Sequence, residues 1–212
     1  MLIGIDMDDV LADFINPLIK FHNEVYGTSL TKEQVFSYAF WEVWGGTREE
    51  AIRKVAEFHK SNYYDLIQPT PGAVNAVGHL RKDHGLVVIT SRPDNVREKT
   101  FEWIKRYFPY RFSGTYFAYN HHIQNKGKRK SEICRDLGVD VLIDDMLKYA
   151  TECAENGTRV LLFNQPWNQS TELPPRMERV FSWNDVLEKL IYRYEKEQRI
   201  LDGGRSKQFR II

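Results

Sequence analysis

The chain begins with a short apolar run, Leu2–Ile5, that leads directly into three closely spaced aspartates, Asp6, Asp8 and Asp9. Apolar runs of this length are typical of strands that are buried on both faces of a parallel sheet. Burying unpaired carboxylates is costly, so these acids must lie where the strand ends, within reach of water, a cation or hydrogen-bond donors. Because ligands of open parallel sheets bind at this carboxyl edge, the stretch predicts a central strand at a binding site. An acidic turn after an ordinary strand fits these first residues equally well.

Composition and missing motifs exclude several classes of function. The chain has 212 residues, of which 42% are hydrophobic and 28% charged, and its formal net charge is +1. This length accommodates one core domain and a smaller insertion. A nearly neutral chain has no general field that draws it to nucleic acid or to anionic membranes, which favours a small substrate. Neither the P-loop motif nor the dinucleotide-binding GxGxxG motif occurs.

Cysteine usage and the first residues predict a cytoplasmic protein. Cys134 and Cys153 form neither a CxxC pair nor a disulfide framework, which indicates a reducing compartment. The chain has no secretory signal pattern, and no run approaches the roughly 18 apolar residues of a membrane span.

A helix-rich stretch, residues 14–64, separates the first strand from the rest of the predicted sheet and is expected to be an inserted helical cap. Capping boxes at residues 31–34 and 47–50 mark helix starts within it. Between them lies the aromatic segment 36–44, whose density favours packing inside the cap. Stacking of Trp41 and Trp44 on a flat ligand is the alternative.

The remaining chain alternates apolar runs with helical patterns, which predicts an α/β fold, a doubly wound Rossmann-like parallel sheet of about five strands. Later strands are expected at 86–89, 112–119, 141–143 and 159–163. Helices are expected to begin with Thr70 as N-cap and Pro71 in the first turn, and at Asp94, Lys130, Leu147 and Ser182, the last running to about residue 200. The predicted core domain comprises residues 1–13 and 65–200, and 201–212 form a tail. The loop 164–179 either borders the site or covers the sheet edge.

Polar side chains follow the second predicted strand and open a later helix. Thr90 and Ser91 precede a helix start, whose N–H groups and positive partial charge suit a phosphate, although simple helix capping explains them too. Lys130 ends the basic segment 126–130, a kind of run that is mostly solvated surface. A lysine at this helix start can also point at the strand edge, and Lys128 is the substitute if the loop register differs.

Acids recur after the fourth predicted strand, where Asp144 and Asp145 repeat the pattern of Asp6. Right-handed crossovers bring these strand ends to one rim of the sheet. Clustered carboxylates repel one another unless a divalent cation lies among them, and hard oxygen ligands suit Mg²⁺. The sequence therefore predicts a Mg²⁺ site, with Thr90 and Lys130 completing a pocket for a phosphate dianion.

Four sequence segments, 6–10, 89–91, Lys130 and 143–145, occur in this order and resemble the motifs of the haloacid dehalogenase (HAD) superfamily of phosphohydrolases. Residues 6–14, Asp-Met-Asp-Asp-Val-Leu-Ala-Asp-Phe, further resemble the 5'(3')-deoxyribonucleotidase group. The resemblance spans about residues 2–163. It implies a HAD-like fold and a Mg²⁺-dependent phosphomonoesterase, and the aromatic cap segment favours nucleoside 5'-monophosphates as substrates.

The resemblance also implies roles for the acids. Asp6 is the nucleophile that forms an aspartyl-phosphate, and Asp8 protonates the leaving alkoxide and then activates water. The Asp6 and Asp144 side chains and the Asp8 carbonyl oxygen bind Mg²⁺, while Asp145 holds a metal-bound water or orients Lys130. An aspartate at position 8, rather than a residue that cannot titrate, favours a phosphatase.

Phosphate binding is implied for Thr90, Ser91 and Lys130, which neutralise the transferring phosphoryl oxygens. Arg92 departs from the nucleotidase pattern, in which a smaller residue follows the Thr-Ser pair. It is expected either to contact the substrate or to pair with an acid.

The expected partner is a small phosphomonoester, with a nucleotide preferred and a homodimer as a possible assembly. Neither a membrane nor a nucleic acid is expected as partner. Three alternatives remain: a phosphatase of another metabolite such as a sugar phosphate, a nucleic-acid 3'-phosphatase, and a non-catalytic protein that keeps the metal and phosphate site.

Overall fold

The structure is a computed structural model that describes residues 1–118 and 127–192. In these two ranges six strands form one parallel sheet, in the order β3-β2-β1-β4-β5-β6. The strands are β1 (Leu2–Ile5), β2 (Gly85–Thr90), β3 (Gly114–Phe117), β4 (Val141–Asp144), β5 (Arg159–Phe163) and β6 (Met177–Val180). The α-helices are α1 (Ile15–Tyr26), α2 (Phe40–Trp44), α3 (Arg48–Phe58), α4 (Ala73–Leu80), α5 (Arg97–Tyr107), α6 (Lys130–Leu137), α7 (Leu147–Glu155) and α8 (Trp183–Leu187). The predicted doubly wound α/β class is confirmed.

The central place of β1 fixes where its acids lie. β1 pairs with β2 on one side and with β4 on the other, so that Ile3 lies between Leu86 and Val141. Ile3 is fully buried. Beyond the strand, the Asp6 amide donates a hydrogen bond to the Ile143 carbonyl oxygen at 2.9 Å. The pairing of β1 with β4 thus continues into the acidic residues and places the ends of both strands side by side.

The sheet of the described residues has six strands instead of the predicted five or so, and the additional strand is β6. It includes residues of the segment 164–179, which was expected to be a loop. In the part of the chain that the structure describes, β6 pairs with β5 alone, from Val160↔Met177 to Phe163↔Val180. Its inner residues are charged and half-buried, so no apolar run marks it, and its definition depends on the neighbouring strand.

The stretch between β1 and β2 contains the helices that were expected for a cap. α1 ends at Gly27, whose φ of +66° suits glycine, and a capping box at Thr47 opens α3 as predicted. The box at Thr31 opens only a 3₁₀ turn, Lys32–Gln34. The apolar side chains of this stretch pack into the same core as those of β1 and β2. The division into core domain and cap remains a prediction.

Two helix starts differ from the sequence expectation. The helix expected to begin at Asp94 is preceded by a 3₁₀ turn, Asp94–Val96, and α5 begins at Arg97. α4 begins after Gly72, whose φ is +86°, instead of at Pro71. The Thr70 hydroxyl does not cap this helix, because it donates to the Val10 carbonyl oxygen and accepts from the Trp183 indole at 3.0 Å. Ser182 caps α8, the last α-helix of the described residues, and α8 continues as a π-helical turn, Glu188–Tyr192. Within the described ranges, none of the helices has the length and apolar character to cross a membrane.

Some predicted features lie outside the described residues. These are the end of the third strand at Tyr119, Lys126 in the basic segment, residues 193–200 of the last helix and the tail 201–212.

We expect Phe58→Ala to lower the free energy of unfolding by about 3–5 kcal/mol, because it empties a fully buried ring position. The Phe58 ring packs against Phe14, Phe21 and Tyr64 at centroid distances of 5.5, 5.7 and 5.6 Å. Urea denaturation measures the change. The same truncation at the exposed Phe181 should change stability by less than about 0.5 kcal/mol, and equal effects would contradict this packing.

Candidate active site

Three buried carboxylates meet at the carboxyl edge of the sheet. Asp6 follows β1, Asp144 ends β4 and Asp145 follows it. One oxygen atom from each lies within 4.8 Å of the others. The three side chains are almost completely removed from solvent. The acids of two strand ends, far apart in sequence, thus form one cluster.

Lys130, at the start of α6, points into this cluster. Its Nζ lies 2.8 Å from Asp6 Oδ1 and 2.6 Å from Asp144 Oδ2, and its side chain is buried. Lys128 is exposed and pairs instead with Asp136 at 2.8 Å. The helix register therefore brings Lys130, and not Lys128, to the strand edge.

Burial and mutual repulsion govern the protonation of this cluster. Burial raises the pKa of Asp6 to about 7, although Lys130 opposes the shift. Burial and the charges of Asp6 and Asp144 raise the pKa of Asp145 well above its ordinary value. Burial alone would lower the pKa of Lys130, but the charges of Asp144 and Asp6 raise it above the ordinary value. Three carboxylates thus face one ammonium group, and a divalent cation would balance the excess negative charge.

The donor set of the cluster fits a hard divalent cation. Asp145 Oδ1 is buried and has no hydrogen-bond partner among the described residues, while Asp145 Oδ2 accepts from the Trp167 indole at 2.7 Å. A buried carboxylate oxygen without a donor suits a metal ion as its partner. Asp145 was expected outside the ligand set, yet its carboxylate lies among the candidate ligand atoms, whereas the Asp8 carboxylate is not part of this group.

Asp8 and Arg92 form a partly buried ion pair beside the cluster. Arg92 Nη2 donates to Asp8 Oδ1 at 2.6 Å, and Arg92 Nε lies 3.0 and 3.1 Å from the two Asp8 oxygens. Arg92 Nη1 donates to the Thr100 hydroxyl at 3.2 Å, and the guanidinium lies over the Tyr64 ring. Arg92 was expected either to contact the substrate or to pair with an acid, and in the structure it pairs with Asp8.

Thr90 and Ser91 lie at the end of β2, next to these charged groups. The Thr90 hydroxyl accepts from the Arg92 amide at 3.2 Å and is buried. The Ser91 side chain interacts with Tyr149 and lines the cavity that contains Asp6 and Lys130.

Two adjoining cavities open at this edge. A polar cavity of about 420 Å³ is lined by residues that include Asp6, Lys130 and Asp145. A second cavity of about 620 Å³ is lined mainly by apolar side chains, among them Phe14, Phe40, Trp41, Ile52, Val55 and Pro93. Asp8, Tyr38 and Ser91 line both cavities. The polar cavity matches a phosphate, and the apolar one matches the organic group attached to it.

The structure separates the two tryptophans that were expected to contact the substrate. Trp41 lines the apolar cavity. Trp44 is not among the lining residues, because its ring stacks on His22 at 4.4 Å and on Phe40 at 4.7 Å. Trp44 thus packs within the aromatic segment, and its expected contact with the substrate remains a prediction.

Tyr38 is a site residue that was not predicted from the sequence. Its hydroxyl donates to Asp9 Oδ2 at 2.5 Å, which anchors the segment 36–44 to the loop after β1. Asp9 has a φ of +55°, an unusual value for a residue other than glycine. The aromatic density around Tyr38 was visible in the sequence, but its partner Asp9 is 29 residues away. That pairing depends on the fold.

Comparisons with known proteins show the family of this chain. The sequence profile of the family described as 5' nucleotidase, deoxy (pyrimidine), cytosolic type C protein matches residues 1–197. A 5'(3')-deoxyribonucleotidase of Bacillus subtilis is 26% identical over 201 residues, which cover 90% of this chain and 98% of that protein.

Solved structures of low sequence identity share the fold. A haloacid dehalogenase-like hydrolase from Streptococcus pneumoniae has a TM-score of 0.63 at 14% identity, covering 89% of this chain and 97% of that one. A HAD hydrolase from Bacillus subtilis, solved with magnesium bound, has a TM-score of 0.60 at 14% identity, with coverage of 90% and 98%. The predicted HAD-like fold is confirmed. The chain belongs to the family of deoxy (pyrimidine), cytosolic type C 5'-nucleotidases and has a HAD-like fold.

Proposed function

We propose that this enzyme hydrolyses nucleoside monophosphates through an aspartyl-phosphate on Asp6, with Mg²⁺ held by the acids at the sheet edge. The observation that carries the proposal is the cluster of Asp6, Asp144, Asp145 and Lys130, which lies beside Asp8 and opens toward an apolar cavity. A phosphate bound among these groups would have its ester group directed to that cavity. Family membership supports the same reaction and substrate class.

Asp6, Asp144 and Asp145 would hold the ion, together with the Asp8 carbonyl oxygen that the family resemblance implies. When bound, Mg²⁺ supplies positive charge that keeps the nucleophile ionised and stabilises the transferring phosphoryl group.

In the first proposed step, an Asp6 oxygen attacks phosphorus, the bond to the leaving oxygen breaks, and Asp8 gives that oxygen a proton. In the second step, Asp8 takes a proton from water, the water oxygen attacks phosphorus, and the bond to Asp6 breaks to release inorganic phosphate. Lys130, Ser91 and Thr90 are assigned to the phosphoryl oxygens. Arg92 holds the Asp8 carboxylate at the boundary of the two cavities.

The remaining expectations concern location and assembly. Cys134 and Cys153 are buried and form no disulfide, in line with the reducing, cytoplasmic compartment that we propose. Homodimer formation remains a prediction.

Asp6→Asn should reduce turnover by more than about a thousandfold with the fold retained, because an amide is a poor nucleophile. Phosphate release measures turnover, and circular dichroism checks the fold. Asp136→Asn, at an exposed aspartate, is the matched control and should keep full activity. Appreciable activity of Asp6→Asn would mean that another group attacks phosphorus.

Mg²⁺ should stabilise the protein more at about pH 8 than at about pH 5.5. Because burial raises the pKa of Asp6 and of Asp9 to about 7, the metal-free protein loses stability as the pH rises through that value. Bound Mg²⁺ requires ionised ligands, so its stabilising effect grows over the same window. Melting temperatures in EDTA and in Mg²⁺ at both pH values test this, and an equal gain at both would contradict it.

Trp41→Ala should raise KM for nucleoside monophosphates several-fold and leave KM for glycerol phosphate nearly unchanged, because the indole lines the apolar cavity. Trp44→Ala is the control, since Trp44 packs away from the cavity. A series of nucleotide and sugar phosphates establishes the preference of the unmodified enzyme. A preference for sugar phosphates would favour the alternative substrate class.

A further inference from the structure

The segment after β5 holds both acidic loops of the site. Three of its side chains, Gln165, Trp167 and Asn168, donate hydrogen bonds to residues that follow β1 and β4. We call these three residues the bracket. From the sequence, the segment 164–179 was expected either to border the site or to cover the sheet edge. Its contacts favour the first interpretation.

Each bracket residue holds a different group. Gln165 Nε2 donates to the Asp9 carbonyl oxygen at 2.8 Å. Trp167 Nε1 donates to Asp145 Oδ2 at 2.7 Å. Asn168 Nδ2 donates to the carbonyl oxygens of Asp145 and Phe163, both at 2.7 Å. The backbone of both loops and one carboxylate are thereby fixed by a single short segment.

A residue of β6, Arg179, holds the bracket in place by hydrogen bonds to Asn168. Arg179 Nη1 donates to Asn168 Oδ1 at 2.6 Å, and Arg179 Nη2 donates to the Asn168 carbonyl oxygen at 2.8 Å. Asn168 is fully buried, so these bonds are shielded from water. The edge strand therefore contributes to the site by holding the bracket in place.

The indole of Trp167 is also fixed on the side that faces the segment 14–64. The Tyr38 ring packs edge-on against it at a centroid distance of 5.1 Å, and Lys32 Nζ lies 5.7 Å from its centroid. The Lys32 ammonium also lies 3.8 Å from Asp9 Oδ1. These contacts hold the ring whether or not its N–H donates, so a phenyl ring at this position would retain most of the packing.

These contacts restrict the orientation of the Asp145 carboxylate. Because Trp167 occupies Oδ2, rotation of the carboxylate would break that hydrogen bond. Oδ1 has no hydrogen-bond partner among the described residues, and one oxygen of this carboxylate lies within 4.8 Å of oxygens of Asp6 and Asp144. We propose that Trp167 is a positioning residue that sets the affinity of the acid cluster for its divalent cation by fixing the Asp145 carboxylate. This inference rests on the proposed Mg²⁺ site. Groups that orient metal ligands in this way typically change metal affinity 10–100-fold when removed.

Isothermal titration calorimetry with MgCl₂ on the full chain tests the proposal directly. Trp167→Phe keeps a ring and removes the N–H, and it should weaken Mg²⁺ binding about tenfold. Trp103→Phe is the matched control, because the Trp103 indole donates at 2.9 Å to the Ile67 carbonyl oxygen, remote from the acids. The control should bind Mg²⁺ with the affinity of the unmodified protein.

Melting temperature in EDTA separates positioning from general stability. The two variants should melt within about 2 °C of each other in EDTA, a difference of less than about 1 kcal/mol, while Trp167→Phe gains less from Mg²⁺ at subsaturating concentration. At saturating Mg²⁺, the kcat of Trp167→Phe should approach that of the unmodified enzyme.

Unchanged Mg²⁺ affinity in Trp167→Phe would overturn the role of Trp167 and leave the proposed function intact. Equal weakening in Trp103→Phe would also overturn it, because the effect would then be nonspecific. Absence of Mg²⁺ binding to the unmodified protein would overturn both this inference and the metal site of the proposed function.

Discussion

The structure depends on the burial of three carboxylates against one ammonium group at the edge of a parallel sheet. Asp6, Asp144 and Asp145 are held there by strand pairing, and Lys130 compensates part of their charge. In a medium of low polarity such an excess of negative charge is unfavourable unless a cation joins it. The same arrangement that costs stability creates a strong local field for Mg²⁺ and, through the ion, for a phosphate.

Three separate parts of the chain meet around this cluster, and each has a distinct task. The sheet delivers the acids, the stretch between β1 and β2 forms most of the apolar cavity, and the segment after β5 holds the acidic loops. Tyr38 lies where they meet, since it lines both cavities, bonds to Asp9 and packs on Trp167. The residues proposed to bind the substrate and those proposed to hold the metal thus belong to one continuous network of neighbouring side chains.

Much of this arrangement was predictable because its signals are local. Apolar runs that end in acids located β1 and β4, and the capping box at residues 47–50 located the start of α3. Once parallel topology is assumed, the meeting of Asp6 with Asp144 follows from geometry. The choice of Lys130 over Lys128 required the helix register in three dimensions.

The features that could not be predicted from the sequence are those that depend on residues far away along the chain. β6 has charged inner residues, and it is defined by its pairing with β5. Trp167 donates a hydrogen bond to Asp145, which lies 22 residues earlier in the chain. Arg92 has no signal in its neighbourhood that identifies Asp8, 84 positions earlier, as its partner. Trp41 and Trp44 are three positions apart in an aromatic segment, yet only the fold decides that one lines a cavity and the other stacks on His22. Such contacts carry no local periodicity from which they could be derived.

A crystal structure of the protein with Mg²⁺ and a phosphate mimic tests the central claim most directly. We expect one ion at the sheet edge, with oxygen atoms of Asp6 and Asp144 at about 2.0–2.1 Å from it and the mimic in line with the second Asp6 oxygen. An ion bound elsewhere, or Asp6 and Asp144 carboxylates more than about 8 Å apart, beyond one coordination sphere, would contradict it.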